Sequence, residues 1–294
     1  MSATAPAAPL RPAGRPAASR GVRRPGVVII TRWELRKLAS QKRTFLGLGA
    51  AMIFPLIFVV STLVQGGHPD EPPFGPYVTQ SGLATPLLML FFGSAFLFPL
   101  IAALVSGDIV AAEDNNGTLK TILTRSVDRG QIFAAKVLAA ALYTALGLVA
   151  SALTATVAAC LAWGLHPVIT FSGTTVGAGK GLELVAASYA VYLIPMLTVA
   201  SIAVLLSAAT RNSAASVVGT LVFTLLLNLL IIIPGLGGAA PYLLPTQFDA
   251  WHGFMRVPTD WAPVGHAAWV CALYAVPALF AAYLIFLRRD VAGG

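Results

Sequence analysis

A polar segment from Gly107 to Lys120 separates two long apolar stretches and concentrates charged and amide side chains. Thr118 can cap a short helix there, because its hydroxyl accepts hydrogen bonds from backbone N–H groups of the first turn. Leu119, Ile122 and Leu123 then share one helix face at spacings i, i+3 and i+4. Such a helix presents an apolar docking face within a charged rim. The chemistry predicted for this segment is recognition of another protein, and a plain connector between two spans is the structural alternative.

The glycine-rich string from Gly177 to Gly181 is the nearest approach to a nucleotide-binding loop. A phosphate-binding loop needs Gly, four residues, and then Gly-Lys-Ser/Thr, so that backbone amides and the lysine surround the phosphates. The string Gly-Ala-Gly-Lys-Gly lacks the first glycine at that spacing and has glycine in place of the hydroxyl residue. We therefore expect a flexible loop here, and a chain that does not hydrolyse ATP itself.

Other catalytic or metal-binding patterns are not found in the sequence. No two histidines are spaced to share a helix face, and neither Gly-x-Ser-x-Gly nor His-Glu-x-x-His occurs. The two cysteines, Cys160 and Cys271, lie in or near apolar stretches, where cysteine usually acts as a small buried hydrophobe. We expect no catalytic residue, no metal site and no cofactor bound by this chain.

The elements that must position the polar segment are membrane spans. The chain is 57% hydrophobic and 10% charged, whereas soluble domains are about 25% charged. A bilayer crossing needs about 20 mostly apolar residues. Six runs qualify: Phe45 to Val64, Leu83 to Val105, Ile132 to Leu161, Leu182 to Ala208, Ala214 to Ile233 and Pro263 to Leu287. Continuous apolar runs exclude barrel strands, which alternate. The sequence predicts an all-α membrane protein with six transmembrane helices.

The basic residues predict the orientation in the membrane. Ten of the nineteen Lys and Arg residues precede the first span, and most of the others fall at alternate connections after it. By the positive-inside rule, both termini are cytoplasmic. The net charge of +8 therefore lies beside the membrane, where it attracts anionic lipid head groups rather than nucleic acid.

The N-terminal region divides into two parts before the six-span domain at residues 44–294. Residues 1–25 are rich in Ala, Pro and Arg, which predicts a disordered cytoplasmic tail. Residues 26–43 predict an amphipathic helix along the inner membrane surface. Its apolar side would carry Val28, Thr31, Leu35, Leu38 and Ala39. The alternative is that this stretch is only the basic flank of the first span.

Two further features bear on transport. The span interiors hold almost no ionisable residues, which disfavours a proton-coupled or ion-coupled transporter. The last connection between spans, residues 234–262, carries several aromatic residues and prolines. It is either a set of interfacial anchors or a pair of short re-entrant or interfacial helices capping an outward exit, and the sequence leaves its role open.

The motifs around the polar segment resemble those of the ABC-2 type permeases, the membrane subunits of ATP-binding-cassette exporters. The string Glu113-x-x-x-Gly117-Thr118-Leu119-Lys120, then Thr124-Arg125-Ser126-Val127-Asp128-Arg129 and Lys136, is similar to their cytoplasmic signature. Glu34-Leu35-x-Lys37-Leu38, followed by Lys42-Arg43-Thr44, resembles their N-terminal elbow helix. The turn from Ala209 to Ala214 also matches in position and character.

The resemblance implies a permease subunit of an ATP-driven exporter in the cell inner (plasma) membrane. It implies two copies of a separate ATPase subunit, which would bind ATP and Mg²⁺, and a second permease copy in a homodimer or heterodimer. Residues 107–130 would contain the cytoplasmic coupling helix. The coupling residues are expected to be Glu113, Gly117, Thr118, Leu119, Lys120, Ile122, Leu123 and Arg125, with Leu119, Ile122 and Leu123 docking and Glu113, Lys120 and Arg125 as polar contacts. The substrate would be lipophilic or amphipathic, a drug, peptide, lipid or glycan precursor. The alternative function is a non-transporting membrane scaffold or immunity protein that binds a partner.

Overall fold

The computed structural model describes residues 26–66, 75–115, 128–233, 235 and 237–288. Within these ranges the α-helices are α1 Val27–Ala39, α2 Lys42–Gln65, α3 Ala84–Gly93, α4 Leu97–Ser106, α5 Ala111–Asn115, α6 Arg129–Trp163, α7 Ala178–Thr210, α8 Ser213–Ile232 and α9 Ala262–Leu287. Short 3₁₀ helices cover Gly75–Tyr77, Ala240–Tyr242 and Pro245–Gly253. Two-residue strands, β1 Val168–Ile169 and β2 Thr175–Val176, pair antiparallel between α6 and α7. The predicted all-α membrane class is confirmed.

Five of the helices, α2, α6, α7, α8 and α9, are each long and apolar enough to cross a membrane. The predicted second span, Leu83 to Val105, is instead two helices, α3 and α4, bent by 65°. Pro99 accounts for the break, because it has no N–H to donate and its ring would clash with the carbonyl of Ala95 in a continuous helix. Phe96 leaves the helical region, with φ −142° and ψ −51°.

The central helix of the bundle is α7, which is far more buried than the other long helices. It packs against α4, α6, α8 and α9. Two of its tyrosines also hold α3 in place: Tyr189 Oη donates to the Pro86 carbonyl and Tyr192 Oη to the Leu90 carbonyl, both at 3.0 Å. The Leu90 carbonyl lies in the last turn of α3 and would otherwise lack an intrahelical partner. Tyr192 of α7 therefore satisfies a backbone carbonyl that the end of α3 leaves open.

The surface of the bundle is apolar along its long helices. On α6, every third or fourth residue is a large exposed hydrophobe: Leu138, Leu142, Leu146, Val149, Leu153, Val157 and Leu161. Comparable exposed residues lie along α2, α8 and α9. A stripe of this length is unfavourable in water and suits lipid hydrocarbon. The chain is a multi-pass membrane protein.

The two ends of the bundle differ. We use "the α1 end" for the end where α1 lies against the start of α6, and "the far end" for the opposite one. Helix α1 is separate from α2 and packs on α6 through Ile30, Thr31, Glu34 and Leu38. Of the predicted apolar side, Thr31 and Leu38 are buried against the bundle, whereas Val28 is 79% exposed; Glu34 is also buried. The position of α1 along the membrane surface stays a prediction. Contact with α6 selects the buried face.

At the far end, the connection between α8 and α9 forms two short 3₁₀ helices, Ala240–Tyr242 and Pro245–Gly253. The second packs on α7 and α9. Trp251 is buried and its ring lies near those of Phe171 and His252. Trp261, by contrast, is 65% exposed. Of the two interpretations left open for this connection, the described residues match short helices, and Trp251 is a core residue rather than an interfacial anchor.

The close approach of the broken span to α6 can be tested by substitution of Gly82. A Cβ atom at Gly82 would lie 2.6 Å from the Cys160 backbone nitrogen, and Gly82 N already donates to the Gly164 carbonyl at 3.0 Å. We expect Gly82→Ala to lower the free energy of unfolding by about 1–3 kcal/mol, since backbone cannot yield to the added methyl. The matched control is Gly265→Ala in α9, where nothing lies within 4 Å. Thermal unfolding of the purified proteins measures both, and equal unfolding temperatures would contradict this packing.

Candidate functional site: a buried charge cluster

A buried lysine is the centre of the candidate site. Lys136 lies about two turns into α6 and is fully buried. Its ammonium group donates to Glu34 Oε1 at 2.9 Å, to Glu113 Oε1 at 2.5 Å and to the Ile109 carbonyl at 3.3 Å. A lysine ammonium has three N–H groups, so each of them has an acceptor. The charge is therefore buried only because α1 and α5 both bring a carboxylate to it.

Glu113 connects two lysines from different helices. Its Oε1 atom accepts from Lys136 and, at 2.8 Å, from Lys37 of α1, while the side chain of Glu113 is almost completely buried. Burial by itself raises the pKa of Glu113, but the charges and hydrogen bonds of Lys136 and Lys37 outweigh it and hold the pKa below its usual value. The stabilisation from this carboxylate is therefore present at neutral pH and is lost as the pH falls below the ordinary glutamate range.

We call Glu34, Lys37, Glu113 and Lys136 the charge cluster. It holds two positive and two negative side chains, so it carries no net charge. Buried ion pairs add little net stability, because desolvation offsets their attraction, but removing one partner is costly. The cluster thus acts chiefly as a geometric constraint that holds α1, α5 and α6 in one arrangement.

Helix α5 is positioned by a serine of the central helix. Ser207 Oγ, near the end of α7, accepts from the backbone nitrogens of Val110 at 3.2 Å and Ala111 at 3.0 Å. These N–H groups lie at the start of α5, where no intrahelical acceptor exists. Because Glu113 follows two residues after Ala111, this contact sets the position of its carboxylate.

A second ion pair lies beside the cluster. Arg43, at the start of α2, pairs with Asp108, which lies two residues after the end of α4 and is buried. The arginine keeps about a third of its side chain exposed. Together with the charge cluster, this pair ties α1, α2, α5 and α6 to the connection that leads out of α4.

The structure brings together only part of the predicted site. Glu113 was expected to be a polar contact to the ATPase, and this stays a prediction; in the single chain its carboxylate is buried and paired with Lys37 and Lys136. Its membership of the coupling element stays a prediction. The other predicted residues, Gly117, Thr118, Leu119, Lys120, Ile122, Leu123 and Arg125, lie outside the described residues.

Lys136 and Glu34 were named in the family motifs but were not predicted to pair, although the sequence carries a signal for both. A lysine this far into an apolar helix needs a buried counter-charge. Glu34 is the acidic residue of an otherwise basic helix, and Lys136 supplies its partner. The pairing of Glu34 with Lys136 could not be predicted from the sequence, because the two residues are adjacent only in the folded chain.

The residue immediately before α6 is also held in place. Asp128 caps α6, with its Oδ1 accepting from Gly130 N at 3.1 Å. The segment between Asn115 and Asp128 therefore leaves from α5, held by Glu113, and returns to α6, which carries Lys136. Within the described ranges, no group of three or more His, Cys, Asp or Glu side chains is arranged to hold a metal ion.

The structure is that of a multi-pass membrane protein, an apolar helical bundle with a neutral charge cluster at one end. Ion pairs of this cluster hold α1, α5 and α6 together. A family model described as ABC-2 family transporter protein matches residues 30–227, about two thirds of the chain. The chain belongs to this family, and the resemblance drawn from its motifs is confirmed. The matched region contains every residue of the charge cluster. A comparison with curated proteins finds no match.

The charge cluster predicts an asymmetry between two lysine substitutions. Lys136→Met leaves Glu34 and Glu113 buried without their main partner, so we expect the free energy of unfolding to fall by about 3–5 kcal/mol. Lys180→Met is the control: its pair with Glu183 is 63% and 69% exposed, and such pairs contribute about 0–1 kcal/mol. Chemical or thermal unfolding in detergent measures the difference. Similar losses for both variants would show that Lys136 is not the constraint described here.

Proposed function

We propose that this chain is the permease subunit of an ATP-driven exporter, with nucleotide hydrolysis supplied by a separate ATPase subunit that binds ATP and Mg²⁺. Its family supports this proposal, because ABC-2 permeases generally pair with an ABC ATPase. The observation that carries the proposal is the charge cluster. In it, Glu113 of the predicted coupling segment pairs with Lys37 of α1 and Lys136 of α6, and Lys136 also pairs with Glu34 of α1.

In this proposal the bundle has six spans, and α3 with α4 makes one broken span. The support comes from the two ends of the pair. Gly82, just before α3, donates to Gly164 beyond the last turn of α6, whereas Ile109, just after α4, accepts from Lys136 near the first turns of α6. These contacts are about 40 Å apart along α6 at 1.5 Å per residue. That distance exceeds the hydrocarbon core, which is about 30 Å thick.

The α1 end is proposed to face the cytoplasm. Most described basic residues lie there, including Arg32, Arg36 and Lys42 of α1 and α2, whereas Lys180 and Arg256 lie at the far end. Arg129 at the start of α6 donates to the Leu287 carbonyl at the end of α9. Because α1 also lies against the start of α6, the end of α9 is at the α1 end of the bundle. The positive-inside rule then places both termini in the cytoplasm of a plasma-membrane protein.

Coupling in this proposal passes through the cluster. Leu119, Ile122 and Leu123 dock on the ATPase, with Lys120 and Arg125 as polar contacts. Closure of the ATPases on ATP pulls the segment, and Glu113 transmits the displacement to Lys136 of α6 and Lys37 of α1. Discrete ion pairs suit such transmission, because packed and paired groups shift between arrangements rather than deforming continuously.

The broken span supports a path between two permease copies. Its break exposes Phe91, Phe92 and Phe96 on the surface of the single chain. Interrupted backbone at membrane depth is tolerated only where protein covers it or a water-filled cavity adjoins it. A second copy facing this break, with the substrate path between the copies, meets that requirement. The aromatic lining favours a lipophilic or amphipathic substrate.

Docking can be tested by co-purification. We expect the double variant Leu119→Asp with Leu123→Asp to lose the cognate ATPase in a pull-down, because two carboxylates would be buried in an apolar contact. The control is Leu165→Asp with Val257→Asp, two exposed apolar residues at the far end. Retention of the ATPase at full strength by the first variant would refute the docking face.

Coupling is tested separately from docking. Lys37→Met removes the half-exposed tie between α1 and α5 and leaves the Lys136 pairs intact. We expect the assembled complex to form normally but to hydrolyse ATP several-fold more slowly or to lose its response to transported substrate. Glu183→Gln at the far end is the matched control. If Lys37→Met leaves hydrolysis and its substrate response unchanged, a scaffold or immunity protein becomes the better description.

A further inference from the structure

A cavity of about 430 Å³ lies at the far end, away from the charge cluster. It is open to the surface and is lined by the two 3₁₀ helices Ala240–Tyr242 and Pro245–Gly253, by Asp260 and by the start of α9. Its polar lining consists mainly of hydrogen-bond acceptors, and prolines and alanines form the rest of the wall. Sites for small organic ligands typically have volumes of about 300–1,000 Å³ and combine apolar walls with a few convergent polar groups.

Gln247 places an unused acceptor in this cavity. The side chain is 3% exposed, and its Nε2 donates to the Pro241 carbonyl at 2.7 Å and to the Leu243 carbonyl at 2.8 Å. These two acceptors fix the amide orientation, which leaves Oε1 as the remaining polar atom. No described residue donates to Oε1, and the atom is not sealed from the cavity that Gln247 lines. A buried side chain thus offers one free acceptor to a ligand.

Asp249 contributes a carboxylate that is 56% exposed and has no cationic partner among the described residues. Its nearest basic neighbour is His252, 4.0 Å away. Burial and the nearby charge of Arg256 lower the pKa of His252 to about 4, so this ring is neutral at physiological pH. Asp260, the second carboxylate of the lining, is different: it accepts from Ala262 N at 3.0 Å and lies 3.7 Å from Arg256.

We propose that this cavity binds the ammonium or amidinium group of a small organic cation, with Asp249 as counter-ion and Gln247 Oε1 as hydrogen-bond acceptor. The apolar part of the ligand contacts Pro241, Ala250 and Pro263. A charge-assisted hydrogen bond contributes about 1.5–3 kcal/mol, which corresponds to roughly tenfold or more in affinity. The site goes beyond the proposed transport function, because binding requires neither an ATPase nor transport.

Ligand binding should depend on pH through Asp249. Partial burial raises the pKa of this half-exposed carboxyl to about 6, and only the ionised form attracts a cation. Affinity therefore falls as the pH drops through about 6. Other groups that face Asp249 or the cavity are His252 and Arg256 on the same connection, Asp260, Tyr192 of α7 and His266 of α9. Of these, His266 also lines the cavity and must be tested separately.

The experiment measures calorimetric binding of benzamidinium to the full chain in lipid nanodiscs, with benzamide as the uncharged isostere. We expect benzamidinium to bind at least tenfold more tightly than benzamide at pH 7.5, and Asp249→Asn to abolish that preference. Glu183→Gln, which removes an exposed carboxylate elsewhere at the far end, is the matched control and should bind as the parent does. Thermal unfolding confirms that the variants are folded.

A pH series on the unsubstituted protein provides the second measurement, which does not depend on the folding of a variant. Benzamidinium affinity should fall between pH 7 and pH 5, and this dependence should persist in His266→Gln and vanish in Asp249→Asn. Equal binding of benzamidinium and benzamide, or unchanged preference in Asp249→Asn, would overturn the proposal. Neither outcome bears on ATPase docking, so failure here is distinguishable from failure of the transport function.

Discussion

One ammonium group, that of Lys136, imposes the main constraint on this fold. A charge buried in an apolar bundle must be neutralised and fully hydrogen-bonded. Glu34, Glu113 and the Ile109 carbonyl meet that requirement, and they come from α1, α5 and the segment after α4. Three parts of the chain are thereby brought to one point, beside apolar contacts made by Leu38, Ile109 and Val110. The position of α1 against α6, and the point from which the undescribed segment departs, both depend on this ion-pair network.

In the rest of the bundle, the buried central helix makes polar contacts, whereas the surrounding helices carry the exposed apolar side chains. The central helix α7 uses Tyr189 and Tyr192 to hold the broken span and Ser207 to hold α5. It therefore connects the break between α3 and α4 with the charge cluster at the α1 end. The helices around it present apolar faces to the membrane. In the proposed exporter, this interior would carry displacement between an ATPase and a membrane path.

Much of the fold was predictable, because apolar runs of about 20 residues have only one stable form in hydrocarbon. The spans of α2, α6, α7, α8 and α9 agree with the predicted ones apart from their ends. The break between α3 and α4 was less accessible: Pro99 signalled a kink, but its size depends on the packing of Phe98 over Gly93. The family was recognisable from short motifs near Glu113, whereas the burial of that carboxylate was not.

The sequence by itself determined the membrane class, the approximate spans, the uneven distribution of basic residues and the membership of the ABC-2 family. These properties follow from composition and local spacing. The tertiary structure alone decided which charges are paired, which face of α1 is buried and where Asp249 and Gln247 line a common cavity. Each of these joins residues from separate helices or loops, and the free energy of a buried charge depends on neighbours that linear spacing does not specify.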